Sequence, residues 1–457
     1  MEALGNENEP VTFTINDTTG YTSGSFTGWG GIFFDGMNSN LTENSVFTYC
    51  NIEYSGSSAI TCVDYDHLMI NNCILRNNQG SGISLYEDSN IGIENISITQ
   101  NGYVGFACNN SSPLVDGFEI NNNDGSGIYC SGIGSTGSLI NFINGKVLNN
   151  VSENNGGGIT LADGAGASFD NVQIAYNEGV NGGGVYCHMS TVEMNNVSIN
   201  DNFAVNGGGI YSSYYADLSI EYTLISGNHA TEDGAGIYSM ESTINTINAT
   251  ISDNFAGGQG GGIFHFDFDA STQTIRNSIL WANTPDEIFS MIEKPVVTFS
   301  NVMGGFEGAG NIDGDPMFEN PFSNNYHLQW SNFPDDFGLK SACIDMGDPI
   351  ASYDPDGTVA DMGAFFFDQA YITSIKENAI SNEVRIYPNP VKNRLNVENS
   401  ENYFLISVFT LTGEKVTENE IHNAFVDIDV SGLNTGFYTL VLHSKDGNLV
   451  AKKFIKQ

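Results

Sequence analysis

Positive charge is what this sequence most conspicuously lacks. It has 14 Lys and Arg residues against 54 Asp and Glu. Only five of the basic residues precede residue 371, namely Arg76, Lys146, Arg276, Lys294 and Lys340. Set against 44 acidic residues, they leave this body at −39, whereas the tail carries nine basic and ten acidic residues. Such a body repels nucleic acid and anionic membranes, and it repels polyuronates unless a cation bridges them. It suits an extracellular surface that collects calcium, although marine or halophilic adaptation accounts for the charge equally well.

Long apolar runs and paired metal-binding cysteines are also missing. No stretch of 18 apolar residues occurs, so we expect no transmembrane segment. The seven cysteines show no C-x-x-C spacing, and their odd number argues against a complete disulfide framework. The acidic opening Met1-Glu2-Ala3 is not a signal peptide. If the protein is exported, we expect its natural N-terminus to be absent from this sequence.

The chain does contain a repeat, in which a small residue precedes a β-branched or aromatic one at intervals of 22 to 31 residues. Its ten copies are Gly31–Ile32, Ala59–Ile60, Gly82–Ile83, Gly105–Phe106, Gly127–Ile128, Gly158–Ile159, Gly184–Val185, Gly209–Ile210, Gly236–Ile237 and Gly262–Ile263. The period is too short for two helices and fits one coil of three short strands and three turns. We therefore predict an all-β solenoid of about ten coils.

A column of polar residues, nearly all asparagine, keeps the same register. Its members are Ser55, Asn78, Asn101, Asn123, Asn150, Asn177, Asn202, Asn228, Asn254 and Asn283. Asn tolerates the left-handed conformation of sharp turns, and stacked Asn side chains hydrogen-bond to one another. We predict that these residues occupy left-handed turn positions and form a structural ladder.

Side chains alternate along a strand, so the second residue after each repeat anchor points inward again. This column and a second inward column contain Cys50, Cys62, Cys73, Cys108, Cys130 and Cys187. We interpret these six cysteines as small buried apolar residues. A disulfide between Cys108 and Cys130 is geometrically possible but not required.

The residue between the two inward positions is expected to face solvent. In the later coils this column becomes an aromatic stripe, made of Tyr129, Tyr186, Tyr211, Tyr238 and Phe264. Longer loops in the same coils carry Glu153, Glu178, Glu232 and Asp233, and such insertions often mark a binding face. Two interpretations remain open. The rings stabilise the sheet, or they form a platform for the apolar faces of sugar rings.

A series of short phrases follows the last coil: Asn311-Ile-Asp-Gly-Asp-Pro-Met-Phe318, Tyr326-His-Leu328, Ser341-Ala-Cys-Ile-Asp-Met-Gly-Asp348 and Asp354-Pro-Asp-Gly-Thr-Val-Ala-Asp-Met-Gly363. Together with the coils, they resemble bacterial right-handed parallel β-helix proteins of the pectate-lyase-like superfamily, over residues 25–367. The resemblance implies that residues 1–25 are a lead-in or cap, 26–284 the repeats, and 285–370 closing coils and a cap over the open end. Asp354, Asp356 and Asp361 offer the oxygen ligands that calcium prefers, although the EF-hand pattern is absent.

The tail has a different composition and its own motifs. After an expected linker at 371–381, residues 382–457 contain Tyr387-Pro388-Asn389-Pro390, a turn at Gly413, a strand with Gly436 and Tyr438, and a basic end with Lys452 and Lys453. Alternating strands predict an Ig-like β-sandwich of about seven strands. The tail resembles the type A C-terminal sorting domain of the Bacteroidetes type IX secretion system. This resemblance implies recognition by the secretion translocon, export to the medium or the outer-membrane surface, and a Sec signal upstream.

Parallel β-helices include both enzymes and binding proteins, so the fold alone assigns no activity. A uronate lyase needs converging cations, yet Arg76 and Lys146 lie in different columns. A glycoside hydrolase needs two carboxylates, for which Asp267 and Asp269 are weak candidates. The sequence therefore favours a secreted or cell-surface protein that binds glycans or host and matrix surfaces, as adhesins do. A polysaccharide lyase or glycoside hydrolase is the alternative, and calcium is the one cofactor that we consider.

Overall fold

The computed structural model describes residues 1–18, 28–36, 44–132, 140–268, 273–331, 333–334, 339–369, 384–398, 403–410, 415–444 and 449–457. The chain divides into two compact units, Met1–Gln369 and Ala370–Gln457. The linker expected at 371–381 lies outside the described residues.

The first unit is a parallel β-helix with three faces, which we call A, B and C in the order in which each coil visits them. Face A has eleven strands: Ile32–Asp35, Ile60–Val63, Ile83–Tyr86, Phe106–Asn109, Ile128–Ser131, Ile159–Ala162, Val185–His188, Ile210–Ser213, Ile237–Met240, Ile263–Phe266 and Ile288–Ser290. The predicted fold class is confirmed, and so is the register. Each of the ten predicted anchors begins a strand of face A, and in-register pairs such as Cys108 with Cys130 connect neighbouring coils.

Faces B and C form one 20-stranded sheet that bends along its length. Face B contains Glu2–Leu4, Ser45–Thr48, Leu68–Asn71, Thr191–Asn195, Asp217–Glu221, Thr243–Ile247, Gln273–Arg276 and Val296–Thr298. Face C contains Val11–Phe13, Cys50–Glu53, Ile74–Arg76, Ser198–Asn200, Leu224–Ser226, Thr250–Ser252, Ile279–Trp281 and Asn301–Val302. Four longer strands run through both faces: Gly92–Thr99, Leu114–Asn121, Ile140–Leu148 and Gly166–Ala175.

The β-helix continues at both ends beyond the ten coils that were identified from the sequence repeat. The segment expected as a lead-in or cap supplies the first strands of faces B and C, with Ala3 buried against the core. At the other end, Ile288 begins an eleventh strand of face A, where Glu287 stands in the glycine position. The interior between the faces is continuous and mainly apolar, and all seven cysteines are buried and free.

The asparagine ladder is present, and its members are buried. From Asn78 to Asn254, each Asn side chain donates to the Oδ1 of its counterpart in the next coil, as from Asn150 to Asn177 at 3.0 Å and from Asn177 to Asn202 at 3.0 Å. The predicted left-handed turn lies one residue earlier, at positions such as Asn149 and Asp201. This differs from the prediction because the ladder side chain must point inward, so the chain reverses direction just before it.

The predicted cap, residues 285–370, is not confined to the open end of the solenoid. Its later part, which we call the returning segment, runs back along face C. There the Asp348 amide donates to Asn277 Oδ1 at 2.7 Å and the Ala364 amide donates to Thr250 Oγ1 at 3.0 Å. This part includes the hairpin strands Phe318–Asn320 and Asn325–Leu328, joined by a 3-10 helix at Pro321–Ser323. A satellite apolar cluster, including Ile279 and Met362, lies beneath it.

The second unit contains two antiparallel sheets around one apolar core that includes Leu395, Ile406 and Phe454. One sheet has the strands Arg385–Tyr387, Arg394–Glu398 and Phe425–Asp429. The other has Lys415–Glu420, Tyr403–Thr410, Gly436–Ser444 and Leu449–Lys456. The prediction of about seven strands in a sandwich-like arrangement is confirmed.

Candidate functional site

The aromatic stripe forms a regular stack on the outer side of face A. We call Tyr186, Tyr211, Tyr238, Phe264 and Phe289 the aromatic stack. Successive ring centroids lie 5.4, 4.8, 4.8 and 5.5 Å apart, with interplanar angles of 12°, 6°, 10° and 19°. Phe289 was not anticipated, because its coil lacks the glycine anchor from which the column was read.

This geometry corrects the idea of exposed rings in a row. Because the rings are nearly parallel and in contact, each inner ring presents its faces to its neighbours and only its edge to solvent. Phe264 is buried at 6% exposure, and the tyrosines are half-buried. A sugar ring packs on an open aromatic face, and the inner rings of the stack present none.

The tyrosine hydroxyls remain protonated over the physiological range. Burial raises the pKa of Tyr186, and burial together with Asp233 and Glu232 raises the pKa of Tyr238. Both side chains therefore stay neutral, with hydroxyls that can donate to a ligand along the edge of the stack.

Tyr129 belongs to the same column but lies outside the stack. Its partners on either side are Ala107 and Thr160, so no ring of a face A neighbour covers it. Tyr103, in the preceding corner loop, is 62% exposed. Within the part of the chain that the structure describes, these two tyrosines form no ring contacts with other aromatic residues.

A change in loop length creates a pocket beside Tyr129. Asn123 and Gly127 are four positions apart, whereas Asn150 and Gly158 in the next coil are eight apart. The extra residues overhang the shorter coil and enclose a pocket of about 600 Å³. We call it the ledge pocket; its lining includes Tyr103, Asp124, Tyr129, Glu153, Asn154 and Asn155.

The lining of the ledge pocket combines apolar, amide and acidic groups. The carboxylates of Asp124 and Glu153 lie at its exposed rim, with no basic residue among the described lining. Aromatic surface with a few converging amides and carboxylates is typical of small-ligand sites that recognise hydroxyl groups. The acidic rim disfavours anionic ligands.

The longer loops also build an additional short sheet, which sequence reasoning missed. Its strands are Phe203–Ala204, His229–Ala230 and Phe255–Ala256. Phe203, His229 and Phe255 stack at 5.1 and 5.2 Å, while the alanines point inward. The signal was available, because all three residues directly follow a ladder asparagine.

A second surface, which we call the B–C groove, lies along the bend between those faces. Its pocket of about 440 Å³ is lined by residues that include Phe118, Lys146, Gln173, Tyr222 and Phe365. Among the described residues Lys146 forms no ion pair. Three other basic residues of the body do, with Arg76 to Glu53 at 2.8 Å, Arg276 to Asp348 at 3.7 Å and Lys340 to Asp345 at 2.8 Å.

Of the two weak candidates for a hydrolase, the structure describes only Asp267. Asp267 follows the strand Ile263–Phe266 and is buried at 1% exposure, while Asp269 lies outside the described residues. The nearby side chain of His265 is also buried, and burial lowers its pKa although Asp267 opposes this shift. A hydrolytic role for Asp267 and Asp269 stays a prediction.

The three candidate calcium ligands bind backbone amides. Asp361 accepts from the amides of Asp345 and Phe367, both at 2.7 Å, and Asp354 accepts from the Asp361 amide at 2.8 Å. Asp356 accepts from the Gln369 amide at 2.7 Å. Within the described ranges, no group of three or more His, Cys, Asp or Glu residues is arranged to hold a metal. These carboxylates have a clear structural role, and calcium binding by them stays a prediction.

Two family matches agree with this architecture. Residues 30–191 match the right handed beta helix region, and residues 385–457 match the secretion system C-terminal sorting domain. The chain is a right-handed parallel β-helix with a C-terminal sorting domain. The sorting domain implies type IX secretion, and hence a secreted or cell-surface β-helix protein. In the described part of the chain, no helix is long and apolar enough to cross a membrane.

Solved structures similar to the β-helix protein have low sequence identity to it. They include pectate lyase Pel9A, at 15% identity over 78% of this chain and 86% of that one, with a TM-score of 0.47. The Azotobacter vinelandii mannuronan C-5 epimerase AlgE6 A-module is 12% identical over 63% of this chain and 84% of that one, with a TM-score of 0.35. No curated protein matches the sequence. At this level of similarity the solved structures give no argument about activity.

The sorting-motif residues occupy several places in the second unit. Tyr387 ends the first strand of the smaller sheet, and Pro388, Asn389 and Pro390 follow it in the connection to the second strand; all four residues are exposed. Gly436, Tyr438, Lys452 and Lys453 lie on the two last strands, with the Tyr438 side chain in the core. Gly413 lies outside the described residues.

Removing one ring from the aromatic stack tests whether the stack stabilises the sheet. We expect Tyr211→Ala to reduce the free energy of unfolding by about 2–3 kcal/mol, because it deletes a ring between two neighbours. Tyr211→Phe keeps the stack and should cost less than about 1 kcal/mol. Urea denaturation of the full chain measures both values. Equal stability of Tyr211→Ala and the wild type would show that the stack does not support the sheet.

Proposed function

We propose that this β-helix protein is an extracellular glycan-binding protein whose ligand enters the ledge pocket. The observation that carries the proposal is the pair Tyr103 and Tyr129, whose rings stand outside the stack beside the amides of Asn154 and Asn155. Apolar sugar faces pack on aromatic rings, and amides and carboxylates bind the hydroxyl groups.

The stack extends the same surface along the axis. Tyr186 is its first ring, and the Asn155 side chain interacts with its hydroxyl and lowers its pKa against the larger effect of burial, so one amide connects the ledge pocket to the stack. Further amides continue along the loops, since Asn181 Nδ2 donates to Asn155 Oδ1 at 2.9 Å. A chain of several sugars would pack on the tyrosines of the ledge pocket and hydrogen-bond along this amide row.

Binding to a panel of glycans tests the proposal. For the glycan that binds most tightly, we expect Tyr129→Ala to weaken affinity about tenfold or more, equivalent to roughly 1.4 kcal/mol. Tyr103→Ala should weaken it to a lesser degree. Tyr353→Ala is the matched control, since Tyr353 is 64% exposed and lies in the returning segment. Unchanged affinity in Tyr129→Ala, or no binding by the wild type to any glycan, would exclude the ledge pocket as the site.

The alternative is a polysaccharide lyase, and the observation that favours it is Lys146. This lysine lies in the B–C groove beside its cross-strand neighbour Glu119 and among amides and aromatic rings, and within the described residues it forms no ion pair. In a lyase, Lys146 would act as the general base that takes a proton from the substrate. The enzyme would release unsaturated products from a polysaccharide, and Lys146→Ala would abolish the release. Release that persists in Lys146→Ala would place the base elsewhere, and no release by the wild type would remove this alternative.

A further inference from the structure

The last strand of the sorting domain, Leu449–Lys456, lies at the edge of its sheet. Part of that edge is closed by the Tyr-Pro-Asn-Pro segment. Asn389 Nδ2 donates to the carbonyl of Lys453 at 3.0 Å, and the amide of Ile455 donates to Asn389 Oδ1 at 2.9 Å. One side chain thus provides both a donor and an acceptor, as a residue of a neighbouring strand would.

The backbone continues this closure two residues further on. The amide of Val391 donates to the carbonyl of Ile455 at 2.8 Å, and the amide of Gln457 donates to the carbonyl of Val391 at 2.8 Å. Val391 and Lys456 form a parallel bridge, and the Val391 side chain is fully buried in the core. Four hydrogen bonds therefore fix the final five residues of the chain against a loop.

An open strand edge pairs readily with other strands, and proteins protect such edges with loops or side chains. A terminal strand is also prone to fray unless it is tied down. The contacts of Asn389 and Val391 close the strand edge and hold the terminal strand in place, and this is the strand that carries Lys452 and Lys453. The exposed position of Asn389 is explained by this contact rather than by packing in the core.

We propose that Asn389 is a latch, whose side chain replaces a strand residue and holds the C-terminal strand in the form that the export machinery accepts. The proposal rests on the sorting role of residues 385–457. It assigns the Tyr-Pro-Asn-Pro segment a function within its own domain. The segment keeps the C-terminal strand in place and closed to pairing with a second copy.

Hydrogen exchange by mass spectrometry on the full chain tests the latch. In Asn389→Ala we expect exchange of the peptide covering 449–457 to accelerate about tenfold, because the Ile455 amide loses its acceptor. Exchange at Tyr403–Thr410, in the interior of the same sheet, should not change. Asn389→Asp keeps the acceptor for Ile455 but cannot donate to Lys453, and we expect an intermediate rate. Asn393→Ala is the matched control, because Asn393 is exposed and, among the described residues, it accepts from the Val430 amide through its backbone carbonyl and not through its side chain.

Export from a type IX-competent bacterium is the second readout. A variant that lacks residues 370–457 gives the amount of protein exported without the sorting domain. We expect Asn389→Ala to be exported at less than half of the wild-type amount. If the deletion leaves export intact, the sorting role itself is wrong. If the deletion stops export while Asn389→Ala exports normally, the latch is wrong. The latch is also wrong if the peptide covering 449–457 exchanges at the same rate in Asn389→Ala as in Asn393→Ala. Faster exchange at Tyr403–Thr410 would show that Asn389→Ala unfolds the domain. In that case the exchange rate of Asn389→Asp tests the latch instead.

Discussion

Asn177→Leu is expected to lower the free energy of unfolding by about 3–6 kcal/mol. In the wild type, Asn177 Oδ1 accepts from both the amide and the side chain of Asn150, and its Nδ2 donates to Val147 and to Asn202. Leucine fills a similar volume but leaves buried donors and acceptors without partners, at about 1–3 kcal/mol each. Urea denaturation of the full chain, followed by circular dichroism, measures the change.

Asn195→Leu is the matched control for this prediction. Asn195 lies on an outward position of face B, and its side chain forms one exposed hydrogen bond, to Asp170 at 3.0 Å. We expect this substitution to cost less than about 1 kcal/mol. If the two variants have the same stability, the ladder contributes no more than a surface asparagine, and the account of the core is wrong.

The β-helix protein should become more stable as the pH falls from 8 to 5. Burial raises the pKa of Asp361 to about 7, and burial likewise raises the pKa of Glu287 to about 7. The same groups in the unfolded chain titrate near pH 4, so the folded state binds more protons between roughly pH 4 and 7. Their contribution is fully present below this range and is lost as the pH rises through about 7. For Asp361, which is 1% exposed, it is on the order of 2–4 kcal/mol.

Two controls separate this effect from repulsion among the many surface carboxylates. Salt screens the repulsion but acts weakly on a buried group, so the pH dependence should persist at high ionic strength. Asp361→Asn should make the free energy of unfolding less dependent on pH. Asp356→Asn should not, because hydrogen bonds from Gln369 and Thr358 outweigh the effect of burial and lower the pKa of Asp356. An unchanged slope in Asp361→Asn would contradict the prediction.

Glu287 explains where the ladder ends. Each rung donates toward the next coil, and the last asparagine, Asn283, donates from its backbone amide and its side chain to the Glu287 carboxylate. Because the amide groups all point in one direction, a carboxylate at the donor end completes the series. The repeat signature stops here because glutamate replaces the glycine that marks the other coils.

The coils could be predicted from the sequence because every coil must meet the same steric and packing requirements. A small residue must pass close to the next coil, as at Gly184, where an added Cβ would lie 2.6 Å from the carbonyl oxygen of Gly209. The following β-branched residue must point inward. Parts that do not repeat gave no such signal. Glu2–Leu4 lacks the anchor, and the return of residues near Ala364 along face C depends on long-range contacts with Asn277 and Thr250.

The register of the aromatic column was predicted from the sequence, but its geometry was not. The column from Tyr129 to Phe264 was identified correctly, yet alternation shows only that side chains point outward. It does not show that neighbouring rings cover one another, as Tyr211 and Tyr238 do at 4.8 Å. The ledge pocket follows from the step in loop length at Asn150, which was visible in the sequence. The B–C groove was not, because Phe365 reaches it only through the returning segment.

A crystal structure of the full chain with the best-bound oligosaccharide tests the central proposal most directly. We predict a sugar ring packed on the face of Tyr129, within hydrogen-bond distance of Asn154 or Asn155, with further sugars extending toward Tyr186. A sugar bound in the B–C groove beside Lys146, with the ledge pocket empty, would contradict the account and favour the enzyme.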